Sequence, residues 1–276
     1  MNYRHAFHAG NFADLVKHAA LLQLLARLTA PGSAPLTVID THAGRGVYDL
    51  AGVEARKSGE AQAGIARLMS AAAAPVAFGP LVAAVRTLNP KGAIARYPGS
   101  PLLVAQALRP ADRYLACELR PDEHTALAAL MRGRGNVKTI CADGYAVAAA
   151  QTPAAGPVLL LIDPPFERAD DYRQIVETLA AVRRRNSGAM GLVWLPLKDL
   201  ETFDSFLRDM EETVTAPALV AETRMRPLTD PLKMNGCALV LLGSAGGLAE
   251  TFQSLCDWTA ETLGEGGRAR VYTVQG

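Results

Sequence analysis

Cysteine is scarce and scattered in this chain: Cys117, Cys141, Cys237 and Cys256 stand far apart, with no C-x-x-C pair among them. That spacing argues against a disulfide framework, a zinc ribbon or a thioredoxin-like redox centre, and leaves buried free thiols as the reading. An excess of one charge is also missing, since 28 Lys and Arg stand against 27 Asp and Glu. The molecule as a whole has no field to draw in a polyanion, so any nucleic acid must be met by local patches. Candidates are Arg183, Arg184 and Arg185, then Arg224, Arg226 and Lys233, then Arg268 and Arg270, each by default a solvated helix end or loop. Long apolar runs are absent too. The opening MNYRHAFHAG contains no apolar core of an export signal, and no window approaches the roughly 18 uncharged apolar residues of a membrane helix. The expectation is a soluble, cytoplasmic protein with no membrane partner. His5, His8, His18 and His42 form no H-x-x-x-H pair and have no cysteine nearby in sequence, so no metal site is expected.

What is present is a globular chain of 276 residues, half of them hydrophobic and a fifth charged. Residues 13–28, ADLVKHAALLQLLARL, predict a helix opened by Asn11 as N-cap with Asp14 three places on. Asp14, Lys17 and His18 fall at i, i+3 and i+4 on one face of its first turns, while the later turns are nearly all apolar. Short β-rich runs then recur at 36–40, 113–118, 136–141, 157–163 and 191–196. Most are separated by helical stretches such as 121–131 and 170–185. Continuous apolar strands alternating with helices imply a doubly wound, mostly parallel α/β sheet covered on both faces. Two more strands, a helix near 248–263 and a last run RVYTV complete the tail. The first two strands are too far apart for one crossover. YPGSPLLVAQALRP predicts the crossover helix, with Ser100 as N-cap, Pro101 at the first helical position and Pro110 beyond its end. Residues 48–97 then form a helical insertion within a single domain spanning 1–276.

In an open parallel sheet, ligands sit at the carboxyl ends of the strands. DTHAGRG follows the first strand, where Gly44 and Gly46 permit close backbone approach. Glu118 follows the second, Asp143 with Gly144 the third, and Asp163-Pro164-Pro165-Phe166 the fourth. An acid at the second strand end suits ribose hydroxyls and would also suit a dinucleotide oxidoreductase. Against that reading, the loop is no full G-x-G-x-x-G and no helix clearly starts there to receive a pyrophosphate. S-adenosylmethionine, a ligand without phosphate, fits better. The tetrapeptide has its own chemistry. Successive prolines remove backbone donors and fix φ, so the Asp163 carboxylate and the Pro164 carbonyl converge as rigid acceptors. Pro165 holds the turn and Phe166 offers a stacking face. Such a site would hold the poorly nucleophilic amine of an adenine that has left its stack. Trp194 reads as core rather than as a second stacking platform.

D-P-P-F resembles the [DN]-P-P-[YFW] motif of adenine amino-methyltransferases. Together YRHAFHAGNFADLVKH at 3–18, DTHAGRG at 40–46, YPGSP at 97–101 and IDPPFE at 162–167 resemble the bacterial 23S rRNA adenine N6-methyltransferase family, RlmJ. The resemblance spans most of the chain. It implies S-adenosylmethionine as cofactor, S-adenosylhomocysteine as product, and 23S rRNA as partner with no obligate protein partner. It also carries cofactor contacts onto His18, His42, Gly44, Ser100, Glu118, Asp143, Gly144 and Asp163. Asp163 takes the catalytic role, with Pro164, Pro165 and Phe166 completing the motif. Substrate RNA contacts fall on Tyr3, His5 and Lys17. Phe166 stands where tyrosine is commoner, which keeps stacking and loses a hydroxyl. The rival expectations are a DNA adenine N6-methyltransferase and a non-catalytic protein that binds RNA or S-adenosylmethionine.

Overall fold

A computed structural model describes residues 5–230, 234–243 and 247–275. After a short 3-10 turn at His5–Phe7, α1 (Phe12–Leu28) starts where the side chain of Asn11 accepts the N–H of Asp14 at 3.0 Å. That is the expected cap, and it satisfies a helix-end donor that has no partner within the helix. β1 (Thr37–Asp40) follows. Next come β2 (Val47–Asp49), α2 (Val53–Ser58), a π-helical turn at Gln62–Ala66, α3 (Arg67–Ser70), α4 (Gly79–Leu88) and β3 (Arg96–Pro98). β2 and β3 pair antiparallel, Tyr48 opposite Tyr97. This ribbon was not foreseen in the sequence, and it brings the two ends of the helical segment together.

The chain then alternates regularly. The elements are α5 (Ser100–Ala107), β4 (Arg113–Cys117), α6 (Pro121–Leu130), β5 (Val137–Ile140) and α7 (Gly144–Gln151). They are followed by β6 (Val158–Ile162), α8 (Asp171–Arg185), β7 (Met190–Leu197) and α9 (Leu200–Thr213). The tail holds β8 (Ala218–Arg224), β9 (Gly236–Leu242), α10 (Ala249–Leu263) and β10 (Arg268–Val274). All eight main-sheet strands lie in the order β10-β8-β9-β7-β6-β1-β4-β5. From β5 to β7 every neighbour is parallel. Beyond β7 the pairings turn antiparallel, because only a short loop joins β8 to β9 and no helix can cross over there.

One correction concerns Ser100. Gly99 is the N-cap of α5 and Ser100 is its first residue, which puts Pro101 second. The serine hydroxyl is drawn instead to the buried carboxylate of Asp40, which it meets at 3.0 Å. Two apolar cores flank the sheet. One gathers α1, α5 and α10 residues such as Leu24, Val104 and Phe252, and the other gathers α8 and α9 residues such as Leu179 and Phe206. Every residue of β6 and β9 is buried, as strands covered on both faces require. Chain order reverses about β1, which lies between β4 and β6, so the crevice for a ligand opens beyond Asp40 and Ile162.

Candidate active site

Asp40 ends β1 at 2 % exposure. Its carboxylate accepts from Ser100 Oγ and Tyr114 Oη at 3.0 Å each and from the His42 N–H at 3.3 Å. Burial raises its pKa to about 6, against the pull of those donors. Asp40 thus ties β1, β4 and α5 together beneath the site. Above it, Gly44 adopts φ +65°, and a Cβ there would come within 2.3 Å of Tyr48 Oη. The loop can turn this way only with glycine. The Gly44 N–H donates to Glu118 Oε2 at 2.9 Å, while Oε1 accepts the Arg120 N–H at 2.8 Å. The Glu118 carboxylate is therefore fixed at the end of β4, its pKa raised by burial against those two bonds.

The polar turns of α1 face the same crevice. Asp14, 2 % exposed, accepts from the Gly10 N–H at 2.9 Å and His5 Nε2 at 3.1 Å, and pairs with Lys17 at 2.9 Å. Burial alone would raise its pKa, but the Lys17 ammonium beside it, helped by the hydrogen bond from His5, more than offsets that and holds the group well below the usual carboxylate range. Lys17 reaches on to Asp163 Oδ2 at 2.5 Å, so one ammonium bridges two carboxylates from α1 and β6. Burial would depress that ammonium; the two acids keep its pKa well above the ordinary lysine range. His18 is 1 % exposed, contacts Tyr97 Oη at 2.9 Å, and is kept neutral by burial with a pKa of about 3. Burial likewise lowers His42 to about 4. The Thr41 hydroxyl donates to Leu161 O, which makes His42 Nδ1 the donor in its 2.7 Å contact with Thr41 Oγ1. His42 Nε2 is then left as an acceptor.

Beyond Asp163 the chain turns sharply. Phe166 has φ +51°, the one non-glycine residue with positive φ among those described. Such strain persists where surrounding structure over-determines it, and it clusters at functional sites. The Phe166 ring lies 4.9 Å from Tyr172 and 5.8 Å from Trp194, centroid to centroid. Phe166 and Trp194, with Asp163, the Gly44 loop, Glu118 and the first turns of α1, line a cavity of about 330 Å³, a volume in the range of small-molecule sites. A second cavity of about 90 Å³ adjoins it across His42, Glu118 and Pro165.

Comparison with known proteins decides the lineage. A family described as "Ribosomal RNA large subunit methyltransferase D, RlmJ" matches residues 33–274. The chain belongs to this family. It is similar to "Ribosomal RNA large subunit methyltransferase J" of Haemophilus influenzae, 31% identical over 95% of this chain and 94% of the relative. The protein of that name from Escherichia coli K12 is 29% identical over the same shares. Among solved structures, a Legionella pneumophila protein superposes with a TM-score of 0.84 at 29% identity, covering 98% of both chains. A probable spermidine synthase from Corynebacterium glutamicum, at TM-score 0.50 and 16% identity, covers 98% of this chain and 77% of the other, and shares the fold.

The anticipated residues of this family member converge. His5, Lys17 and His18 line the larger cavity from the α1 side, and His42, Gly44, Ser100 and Glu118 line it from the β1 and β4 ends. Asp163, Pro164, Pro165 and Phe166 close it from β6. Asp143 and Gly144 line the smaller cavity. Asp143 caps α7 through the Tyr145 N–H, and a Cβ on Gly144 would meet Thr41 O at 2.0 Å. Tyr3 lies outside the described residues. Among the described residues no group of three or more His, Cys, Asp or Glu is placed to hold a metal ion. Trp194 packs against the apolar core, as read, and its partly buried ring also forms cavity wall beside Phe166. Asp14, Tyr48, Pro196 and Lys198 were missed as site residues. The i, i+3 spacing of Asp14 and Lys17 was a usable signal for the first; nothing local marked the others. The arginine patches are mostly engaged in structure. Arg183 donates to Ala189 O and Arg185 to Thr152 O, Arg224 pairs with Glu222, and Arg270 covers the Tyr272 ring. Lys233 lies outside the described residues. Cys117, Cys237 and Cys256 are buried thiols and Cys141 is exposed. No described helix is long and apolar enough to cross a membrane.

Proposed function

We propose that this protein is a large-subunit rRNA methyltransferase that uses S-adenosylmethionine to methylate N6 of an adenosine in 23S rRNA. The observation that carries the reading is the placement of Asp163-Pro164-Pro165-Phe166 in one cavity with the Gly44 loop and Glu118. The donor set fits the cofactor. Glu118 stands ready to exchange its backbone partners for ribose hydroxyls, the glycine at 44 lets backbone approach closely, and Asp143 with Gly144 suits the adenine edge in the adjoining cavity. His18, His42 and Ser100 complete the pocket, with both imidazoles neutral. When bound, S-adenosylmethionine supplies an electrophilic methyl group and leaves as S-adenosylhomocysteine.

The chain's own residues do the positioning. With Oδ2 of Asp163 held by Lys17, Oδ1 remains to accept one hydrogen of the adenine amine, and the Pro164 carbonyl accepts the other. Two acceptors concentrate density on the nitrogen and aim it, while the surplus proton leaves once the N–C bond has formed. Lys17 holds the carboxylate in place, and Phe166 stacks on the base. His5, on the cavity wall, meets the RNA around it. Residues 48–97 are read as one inserted unit within a single domain.

The test is methyl transfer from labelled S-adenosylmethionine to protein-free 23S rRNA, whole ribosomal subunits and duplex DNA, with nucleosides identified by mass spectrometry. N6-methyladenosine confined to rRNA or subunits is expected. Product in DNA alone would replace the substrate, and silence in all three with S-adenosylhomocysteine bound would replace catalysis with binding.

A further inference from the structure

β7 contributes a run of alternating side chains to the site. Trp194 and Pro196 share one face of the strand, and Lys198 continues that spacing just past its end; all three line the cavity. Four residues along a strand advance roughly 13 Å, so the strip runs from the aromatic pair Phe166–Trp194 beside Asp163 outward to an exposed ammonium. The other charged groups of the cavity are spoken for. Lys17 is shared by Asp14 and Asp163, Glu60 holds His8 and Asn11, and Glu118 is held by two backbone N–H groups. Lys198 has no acidic partner among the described residues. Its neighbour Asp199 is turned away to cap α9, accepting the Thr202 N–H at 2.8 Å.

The backbone beneath Lys198 is built rather than loose. Asn235, fully buried, donates through Nδ2 to the carbonyls of Lys198 at 3.0 Å and Asp230 at 2.7 Å. Its own N–H meets Leu197 O at 2.8 Å, and its carbonyl accepts from Met225. One amide side chain thus pins the end of β7 to the loop between β8 and β9. An apolar strip that ends in an unpaired cation on a pinned stretch of backbone matches a nucleotide whose base is held inside and whose phosphate stays at the rim.

We propose that Lys198 binds a backbone phosphate flanking the target adenosine, and that the Trp194–Pro196 strip is the wall along which that nucleotide enters. This rests on the methylation reading above and adds the element that grips the RNA. A point charge on a flexible stem suits phosphate without reading sequence, so its contribution is to binding and register, not to the chemical step.

The experiment compares wild type, Lys198→Ala, Lys198→Glu and Lys198→Arg. KM and kcat on a 23S rRNA fragment, direct fragment binding by fluorescence anisotropy, and S-adenosylhomocysteine affinity are measured across a salt series. Lys198→Ala should raise KM and the RNA Kd several-fold at low salt. It should also reduce the slope of log Kd against log salt by about 0.7 to 1, as expected for the loss of one phosphate contact. Lys198→Glu should weaken binding further, Lys198→Arg should restore most of it, and kcat and cofactor affinity should stay at wild-type values throughout. An unchanged salt slope, or a fall in kcat with KM unmoved, would overturn the proposal. Because binding is read beside turnover, wild-type protein that bound the fragment without methylating it would overturn the reaction while still deciding the contact.

Discussion

Asp163 and Lys17 come from elements 146 residues apart, and their pairing sets what each can do. With its ammonium between two acids, Lys17 is a fixed charge that orients Asp163, and it cannot act as a base. We predict that Asp163→Ala lowers single-turnover methyl transfer about 10²-fold or more, the scale of a lost preorganised contact. Asp163→Asn should cost less, since an amide oxygen still accepts. Both variants at wild-type rate with S-adenosylhomocysteine bound would remove Asp163 from the mechanism. His18 gives a pH signature. Its folded pKa of about 3 lies below the ordinary 6.5 because burial disfavours the imidazolium. The unfolded chain therefore gains a proton below pH 6.5 that the folded chain refuses until about pH 3. The stability tied to neutral His18 is complete above 6.5 and drains away as pH falls. Relative to His18→Gln, the wild type should lose up to about 1.4 kcal/mol per pH unit between pH 6 and 4. Parallel urea-derived stability profiles for the two proteins would contradict this.

At the scale of elements, α1 is legible in the sequence. Its cap, its span and its polar first turns follow from local spacing, and the structure reproduces them to within a residue. Ser100 was misread because a serine before Pro101 carries the local signature of an N-cap, while the carboxylate that captures it belongs to a strand sixty residues earlier. The β2–β3 ribbon escaped notice for a related reason: strands of three residues hold too little periodicity to see. The helical segment between them docks on the start of the chain through Glu60, which holds His8 and Asn11, through apolar packing on α1, and through one close backbone contact. Ile65 N–H donates to Gly10 O at 2.8 Å, and a Cβ on Gly64 would sit 2.1 Å from that same oxygen. We therefore predict that Gly64→Ala costs about 1–3 kcal/mol, as overpacking does, and reduces turnover by shifting Gly10 and the Asp14 network it supports. A variant with unchanged melting temperature and unchanged rate would show that this contact yields freely.

For the whole molecule, the decisive arrangement is that β1, β4 and β6 deliver Gly44, Glu118 and Asp163 to one edge of the sheet, beside the first turns of α1. A ligand bridging those ends should tie the fold together. We predict that S-adenosylhomocysteine at 100 times its Kd stabilises the folded state by about 2.7 kcal/mol, read as a rise in melting temperature, while NAD at matched concentration gives none. Stabilisation by NAD would return the oxidoreductase reading. The alternation of buried runs with helices needed only the sequence, since a strand covered on both faces must be apolar throughout and a parallel neighbour needs a crossover between. The residues at the strand ends could be named for the same reason: they stand where each apolar run stops. The sequence did not contain, in any readable form, the bridge of Lys17 between two acids, the place of Trp194 on the cavity wall or the position of Lys198 at the rim. Those depend on contacts between segments far apart in the chain, whose distances are set by packing and not by any local pattern. The tertiary structure alone decided them.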